Sequence, residues 1–231
     1  MIDIVIATCD RLPLLKRTLA SIWERTTTPY RLHVIDDASS DGETPDYLRS
    51  ISDVGNLVAS ITLRPKRRGI AANLRAVSDL TTSDPVVYSD DDLLCPLLDP
   101  DWLAREEAAM MARPFLGILA LNNPHCNIGD KRHRTHKDDE VTYCMRSPGG
   151  FQMIRRAVLD VAVPADGRLS PVSIMAGSAK DYGWEVGYLT KVYCQHIGLI
   201  SVRTERDVSK AIAKVAPDNV LTLEPPEEYR I

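Results

Sequence analysis

Apolar residues recur over the first 121 positions as short β-branched runs separated by stretches with helical spacing. IDIVIA at 2–7 is apolar at nearly every position and predicts a buried strand. Beyond it, Leu15, Leu19 and Ile22 lie four and three apart on one face of a helix that starts near Leu12, with Pro13 suited to the first turn. RLHVID at 31–36 predicts a second strand, the Ser- and Asp-rich run 37–42 a turn, and residues 44–52 a helix. The same alternation gives a strand over 57–63, a helix over 70–80, a strand over 86–89, a helix over 101–113 and a strand over 115–121. Such a succession builds an α/β fold, a Rossmann-like and mainly parallel sheet with helices on both faces.

The pattern changes after Asn122. A polar stretch rich in His, Lys and Arg runs to Glu140 without periodicity and predicts a long loop. Order resumes at VTYCM (141–145), passes Pro148, Gly149 and Gly150, and gives a short helix over 155–161 before a second irregular stretch to about Gly177. Tyr182, Val186 and Leu189 then predict a helix over 179–193. The segment 207–231 has little apolar periodicity and reads as a C-terminal tail, which leaves one domain over 1–206.

Charge narrows the partners. Twenty-eight Lys and Arg against 32 Asp and Glu leave a net charge of −4, so any basic surface for an anion must be local. FLGILAL (115–121) is far short of the roughly 20 apolar residues of a membrane helix, and no signal-type segment opens the chain, so a cytoplasmic protein is expected. The five cysteines are scattered without a C-x-x-C, which predicts reduced thiols.

The strongest chemical signal is Asp90-Asp91-Asp92 directly after the fourth apolar strand. Adjacent carboxylates repel, and a divalent cation relieves that repulsion; an Asp-rich turn and helix cap is the plain alternative. Asp10 and Asp36-Asp37 follow the first and second strands, and in a parallel sheet these ends lie along one edge, where ligands of open α/β sheets bind. Taken singly, Asp10 reads equally as a helix cap and Asp37 as a turn residue. Arg11, Arg67, Arg68 and backbone N–H groups near Gly69 would suit phosphates, or PKRRG (65–69) is simply a solvated basic turn. There is no G-x-x-x-x-G-K-[ST] loop, and no G-x-G-x-x-G after the first strand, which disfavours an ATPase and a dinucleotide dehydrogenase.

These motifs together resemble the inverting family 2 glycosyltransferases of the GT-A fold. The resemblance is carried by IVIATCDR (4–11), HVIDDASSDG (33–42), RRGIAANLRAV (67–77), YSDDD (88–92), SPGGFQMIRRAVL (147–159) and KDYGWEVGYL (180–189). It implies a nucleotide-sugar-binding half over 1–121 and an irregular acceptor half over 122–206. Thr8, Asp10 and Arg11 would border the nucleotide, Asp37 would bond the base or ribose, and Gly69 and Asn73 would line the diphosphate. Asp90 and Asp91 would contact the donor, UDP-sugar being favoured, and Asp92 would ligate manganese or magnesium. His196 falls where a further metal ligand is found in such enzymes, or is a core histidine. Gly149 and Gly150 resemble the turn beneath donor sugar and acceptor. Asp181 would be the catalytic base, with Glu185 in reserve; Lys180 stands where the family commonly carries an acid. The Q-x-x-R-W signature of processive synthases is missing, so transfer of one or a few sugars by a soluble enzyme is expected.

Three other readings share parts of this pattern. A D-x-D phosphohydrolase places its aspartates after the first strand, whereas these follow the fourth, and a sugar nucleotidyltransferase needs a Gly-rich loop where this chain has Ala7-Thr8-Cys9. A non-enzymatic nucleotide-sugar or nucleic-acid binding relic is the third. The loop 125–140 holds His125, Cys126, His133 and His136, which match no common zinc spacing even with Cys144. Its Lys131, Arg132, Arg134 and Lys137 suggest a lid or an entrance for an anionic acceptor, or a solvated connection.

Overall fold

The computed structural model describes residues 1–52, 54, 57–123, 134–145, 149–162 and 179–198. The first half follows the alternation in the sequence: β1 (Ile2–Thr8), α1 (Leu12–Arg25), β2 (Tyr30–Asp36), α2 (Glu43–Ser52), β3 (Ser60–Leu63), α3 (Ile70–Leu80), β4 (Val86–Asp90), a two-residue β5 (Leu93–Leu94), α4 (Trp102–Met111) and β6 (Leu116–Asn122). β7 (Arg134–Lys137), β8 (Val141–Cys144), β9 (Gln152–Ile154), α5 (Arg156–Ala162), β10 (Glu185–Tyr193) and β11 (Gln195–His196) complete it.

Nine strands form one sheet in the order β3-β2-β1-β4-β9-β6-β10-β8-β7, and β11 pairs with β5 in a separate ribbon. β1 to β4 run parallel; β9 lies antiparallel to both β4 and β6, so β6 and its parallel neighbour β10 share the sense of β1. The sheet is therefore mainly parallel, with β8 and β9 reversed.

Alternation along β1 divides the core. Ile2, Ile4 and Ile6 point to the face covered by Leu15, Leu19 and Ile22 of α1, Leu48 of α2, and Trp102 and Met110 of α4. Val5 and Ala7 point to the other face, against Leu74 and Val77 of α3 and Val158 and Leu159 of α5. Both faces are covered, which is why the central strands read as nearly continuous apolar runs.

The second half departs from expectation in three places. The predicted helix over 179–193 is one helical turn at 179–181, closed by Gly183 at φ +84, and then β10. β10 lies between β6 and β8 with Val186, Gly187, Tyr188 and Leu189 all buried, and a short run buried on both faces carries no period that separates strand from helix. Part of the expected loop is β7, an exposed polar edge strand without an apolar position to betray it. β9 was also not expected; its three residues bridge β4 and β6. Residues 124–133, 163–178 and the tail 207–231 lie outside the described residues, and with them His125, Cys126, Lys131, Arg132 and His133.

Candidate active site

The C-terminal ends of β1, β2 and β4 open into a cleft of about 190 Å³ walled by the start of α3. Thr8, Arg11, Asp37, Gly69, Asn73, Asp90 and Asp91 line it, with Cys9, Arg67, Ile70 and Tyr88. The sheet rule thus brings together residues from four separate motifs, as the sequence implied.

The three aspartates diverge. Asp90 faces the cleft and is exposed there; the crowding of protein atoms behind it and then the charge of Asp92 push its carboxyl upward. Asp91 turns inward, 1% exposed, and accepts a 2.6 Å hydrogen bond from Thr8 Oγ1. Burial raises it to about 6, against the opposing pull of Thr8 and Arg11. Asp92, 5% exposed, pairs through Oδ2 with Arg11 Nη2, while Arg11 Nη1 stands 3.2 Å from Asp91 Oδ1. The Arg11 guanidinium therefore bridges two members of the cluster; burial would lower its pKa, but the charges of Asp91, Asp92 and Asp90 outweigh this and raise it.

β11 carries His196 to the cluster. Its pairing sets His196 opposite Leu93, Ile197 N donates to Asp92 O at 2.8 Å, and His196 Nε2 lies 3.6 Å from Asp92 Oδ1. Asp92 Oδ1 is buried and accepts no hydrogen bond among the described residues. Asn73 Oδ1 and Tyr88 Oη, both in the cleft wall, are also buried without a partner there. Buried polar atoms are nearly always hydrogen-bonded, so the two in the cleft wall, with Asp92 Oδ1 one residue beyond the wall's Asp91, mark where a ligand's polar groups would sit. Tyr88 was not singled out from sequence, although two positions before Asp90 it shares that strand face.

Two expected ligand contacts are engaged with each other. Asp37, 3% exposed, accepts from Arg68 N at 2.9 Å, Gly69 N at 2.7 Å and Arg64 Nη1 at 3.2 Å. It anchors the turn that starts α3, where Gly69 adopts φ +77, rather than presenting a free carboxylate to a base or ribose. Asp10 is exposed and not part of the cleft wall: at φ +53 its Oδ1 accepts from Ser40 N at 2.5 Å and Asp41 N at 3.1 Å. The Ser40 N–H in first place lowers its pKa. The Arg68 side chain is exposed and also outside the wall.

Gly149 and Gly150 fall at the same sheet edge, just before β9, with Asn123 Nδ2 donating to Gly149 O at 2.6 Å. Gly150 has φ +154, and a Cβ there would come within 2.7 Å of Cys194 Sγ.

Asp181 lies away from the cleft. It is exposed and precedes β10, whose first residue Glu185 pairs with Leu116 at the start of β6. Those are the N-terminal ends of strands whose C-terminal ends hold the cleft, so Asp181 and Glu185 stand across the sheet from the aspartates, about 30 Å away by the length of a nine-residue strand. Glu185 instead faces His136 Nε2 at 3.6 Å, and His136 stacks on Tyr143. Arg134 and Lys137 lie on β7, five strands from β4, and do not border the cleft.

A cleft outside the carboxyl ends of a mainly parallel sheet is where open α/β folds bind their ligands, and the fold is that of the GT-A glycosyltransferases. The chain belongs to glycosyl transferase family 2, whose model matches residues 3–160. Similar solved structures include the mannosyltransferase PcManGT from Pyrobaculum calidifontis in complex with GDP-Man and Mn2+, at 20% identity and TM-score 0.70, over 90% of this chain and 60% of that one. GalNAc-T7 with UDP, GalNAc and Mn2+ matches at 14% identity and TM-score 0.66, over 84% and 43%. S. aureus TarS 1-349 in complex with UDP-GlcNAc matches at 14% identity and TM-score 0.60, over 95% and 67%. This chain thus spans less than two thirds of the first two. No curated protein sequence matches it. No helix among the described residues is long and apolar enough to cross a membrane.

Proposed function

We propose that this glycosyltransferase is metal-dependent and inverting, and moves a sugar from a nucleoside-diphosphate sugar, a UDP-sugar being favoured, to an acceptor hydroxyl. The observation that carries the reading is Asp92 Oδ1, buried, without a hydrogen bond among the described residues, and 3.6 Å from His196 Nε2, one residue beyond the cleft-lining Asp90 and Asp91. Two atoms at that spacing can both reach one manganese or magnesium ion, whose ligand distances are about 2.1 Å. Among the described residues no three His, Cys, Asp or Glu side chains form a site by themselves, so Asp92 and His196 would hold the ion jointly with the donor's phosphates and water. The proteins described above as bound to Mn2+ and nucleotide agree with this choice of group.

A bound divalent cation supplies positive charge for the departing diphosphate. The chain's own residues do the rest. Asn73 Oδ1 and Tyr88 Oη offer unused hydrogen-bonding capacity to the nucleotide, and Arg11 and Arg67 add positive charge at the cleft. Thr8 holds Asp91 in place from β1. Gly149 and Gly150, at the same sheet edge, would form the turn beneath the donor sugar and acceptor. In an inverting transfer the acceptor oxygen bonds to the anomeric carbon as the bond to the diphosphate breaks, and the hydroxyl proton passes to a base. With Asp181 and Glu185 at the opposite sheet edge, we assign that base to neither of them.

A thermal-shift series with UDP, GDP and their sugar conjugates, each with and without manganese, tests the reading. Stabilisation by at least one nucleotide that requires manganese is expected. Equal shifts with and without the metal would remove metal dependence from the account.

A further inference from the structure

Building on that metal-dependent reading, we propose that Arg11 is a tethered counter-ion that competes with the divalent cation for Asp92: it holds Asp92 when the cation is absent, yields when the cation binds, and then serves the donor's diphosphate.

The geometry divides the two oxygens of Asp92 between the competitors. Oδ2 pairs with Arg11 Nη2, whereas Oδ1 has no hydrogen bond among the described residues and faces His196. Asp91 and Asp92 are almost fully buried, and two buried carboxylates side by side need a positive charge. Arg11 supplies it from the cleft rim, where 37% of its side chain is exposed. A side chain so placed swings out without disturbing the core, since it leaves from the N-cap of α1 and makes no capping bond of its own. A dication and a guanidinium on the same carboxylate repel, so occupancy by one weakens the other. Gly198, two residues beyond β11, covers the pair from one side, where a Cβ would run into both Asp92 and Arg11. The site therefore holds one cation on Asp92 at a time. Arg11 displaced from Asp92 stays at the cleft wall beside Thr8 and Asp91, where an anionic diphosphate would meet it.

Competition of this kind lowers apparent metal affinity by the fraction of molecules in which Asp92 is free. Removing the guanidinium should tighten metal binding and weaken nucleotide binding, two effects of opposite sign from one side chain.

The test is a manganese titration of the full chain followed by electron paramagnetic resonance at pH 7.5, for wild type, Arg11→Gln and Arg11→Lys. Arg11→Gln is expected to bind manganese about tenfold more tightly than wild type, with Arg11→Lys between them because one ammonium cannot bridge both carboxylates. Under saturating manganese, calorimetry with UDP and GDP is expected to show about tenfold weaker binding to Arg11→Gln for whichever nucleotide the wild type takes. Manganese should also raise the melting temperature of Arg11→Gln by more than that of wild type, and if the Gln variant does not fold, Arg11→Lys carries the comparison. Equal or weaker manganese binding in the variants, beside a wild type that binds it, would overturn the competition alone. No manganese binding by any of the three, with or without nucleotide, would overturn the metal-dependent reading as well.

Discussion

His196 Nε2 lies 3.6 Å from Asp92 Oδ1 because β5 and β11, two residues each, pair Leu93 with His196. The smallest ribbon in the molecule thus connects the β4 aspartates to the far end of β10, and it makes the proposed metal site depend on both halves of the chain.

Asp92→Asn and His196→Ala should each weaken manganese-dependent nucleotide binding, Asp92→Asn by on the order of 100-fold, because a bound ion contributes several kcal/mol and each variant removes one of its two protein ligands. Calorimetry with UDP or GDP plus manganese measures this. Melting temperatures within a few degrees of wild type would show that the loss belongs to the site.

Asp181→Asn should leave turnover within about twofold of wild type, since the residue is exposed at the opposite sheet edge. A loss on the order of 100-fold, the scale of a missing general base, would return that role to it.

The cleft was legible because a rule connects sequence to space: in a parallel sheet the residues after each strand share an edge, so Thr8, Asp37 and the 90–92 cluster had to converge. Asp181 was assigned through the resemblance of KDYGWEVGYL, which carries no information on the edge of the sheet it occupies; the helix expected over 179–193 is β10 because Val186 to Leu189, buried on both faces, satisfy helical spacing as readily as strand pairing. The mutual bonding of Asp37 with Arg68 N and Gly69 N was out of reach, because a carboxylate beside a basic turn looks alike whether it faces a ligand or the turn's own backbone. His196 stood open between core and ligand until the β5–β11 pairing brought it to Asp92.

Glu106 gives a stability prediction of its own. It is 0% exposed, neither oxygen makes a hydrogen bond among the described residues, and burial lifts its carboxyl well above the ordinary range; the Met153 N–H offsets part of this without meeting hydrogen-bond geometry. A raised folded-state pKa means stability that is complete below the unfolded value and lost as pH rises through the folded one. Glu106→Gln should therefore stabilise the protein by about 1 kcal/mol or more at alkaline pH and progressively less towards pH 4. Melting curves from pH 4 to 9 measure the gap, and a gap that does not change with pH would count against an unpaired buried carboxyl.

Asp3 should behave in the opposite sense. Burial alone would raise its pKa, but Arg31 at 2.6 and 2.9 Å, the Ser83 and Thr82 N–H groups and His33 together hold it well below the usual carboxylate range. Its contribution is present above the unfolded pKa and disappears as pH falls through the folded one. Asp3→Asn is expected to cost about 1–3 kcal/mol at pH 7, and the difference in denaturant midpoint should shrink below pH 4.

A metal-dependent donor site built on the aspartate cluster and His196 would show itself in hydrolysis of a UDP- or GDP-sugar by the purified chain, followed as release of nucleoside diphosphate with manganese and with chelator. Release is expected to require manganese, to be lost in Asp92→Asn and to persist in Asp181→Asn. Release that continues undiminished in chelator, or in Asp92→Asn, would contradict it.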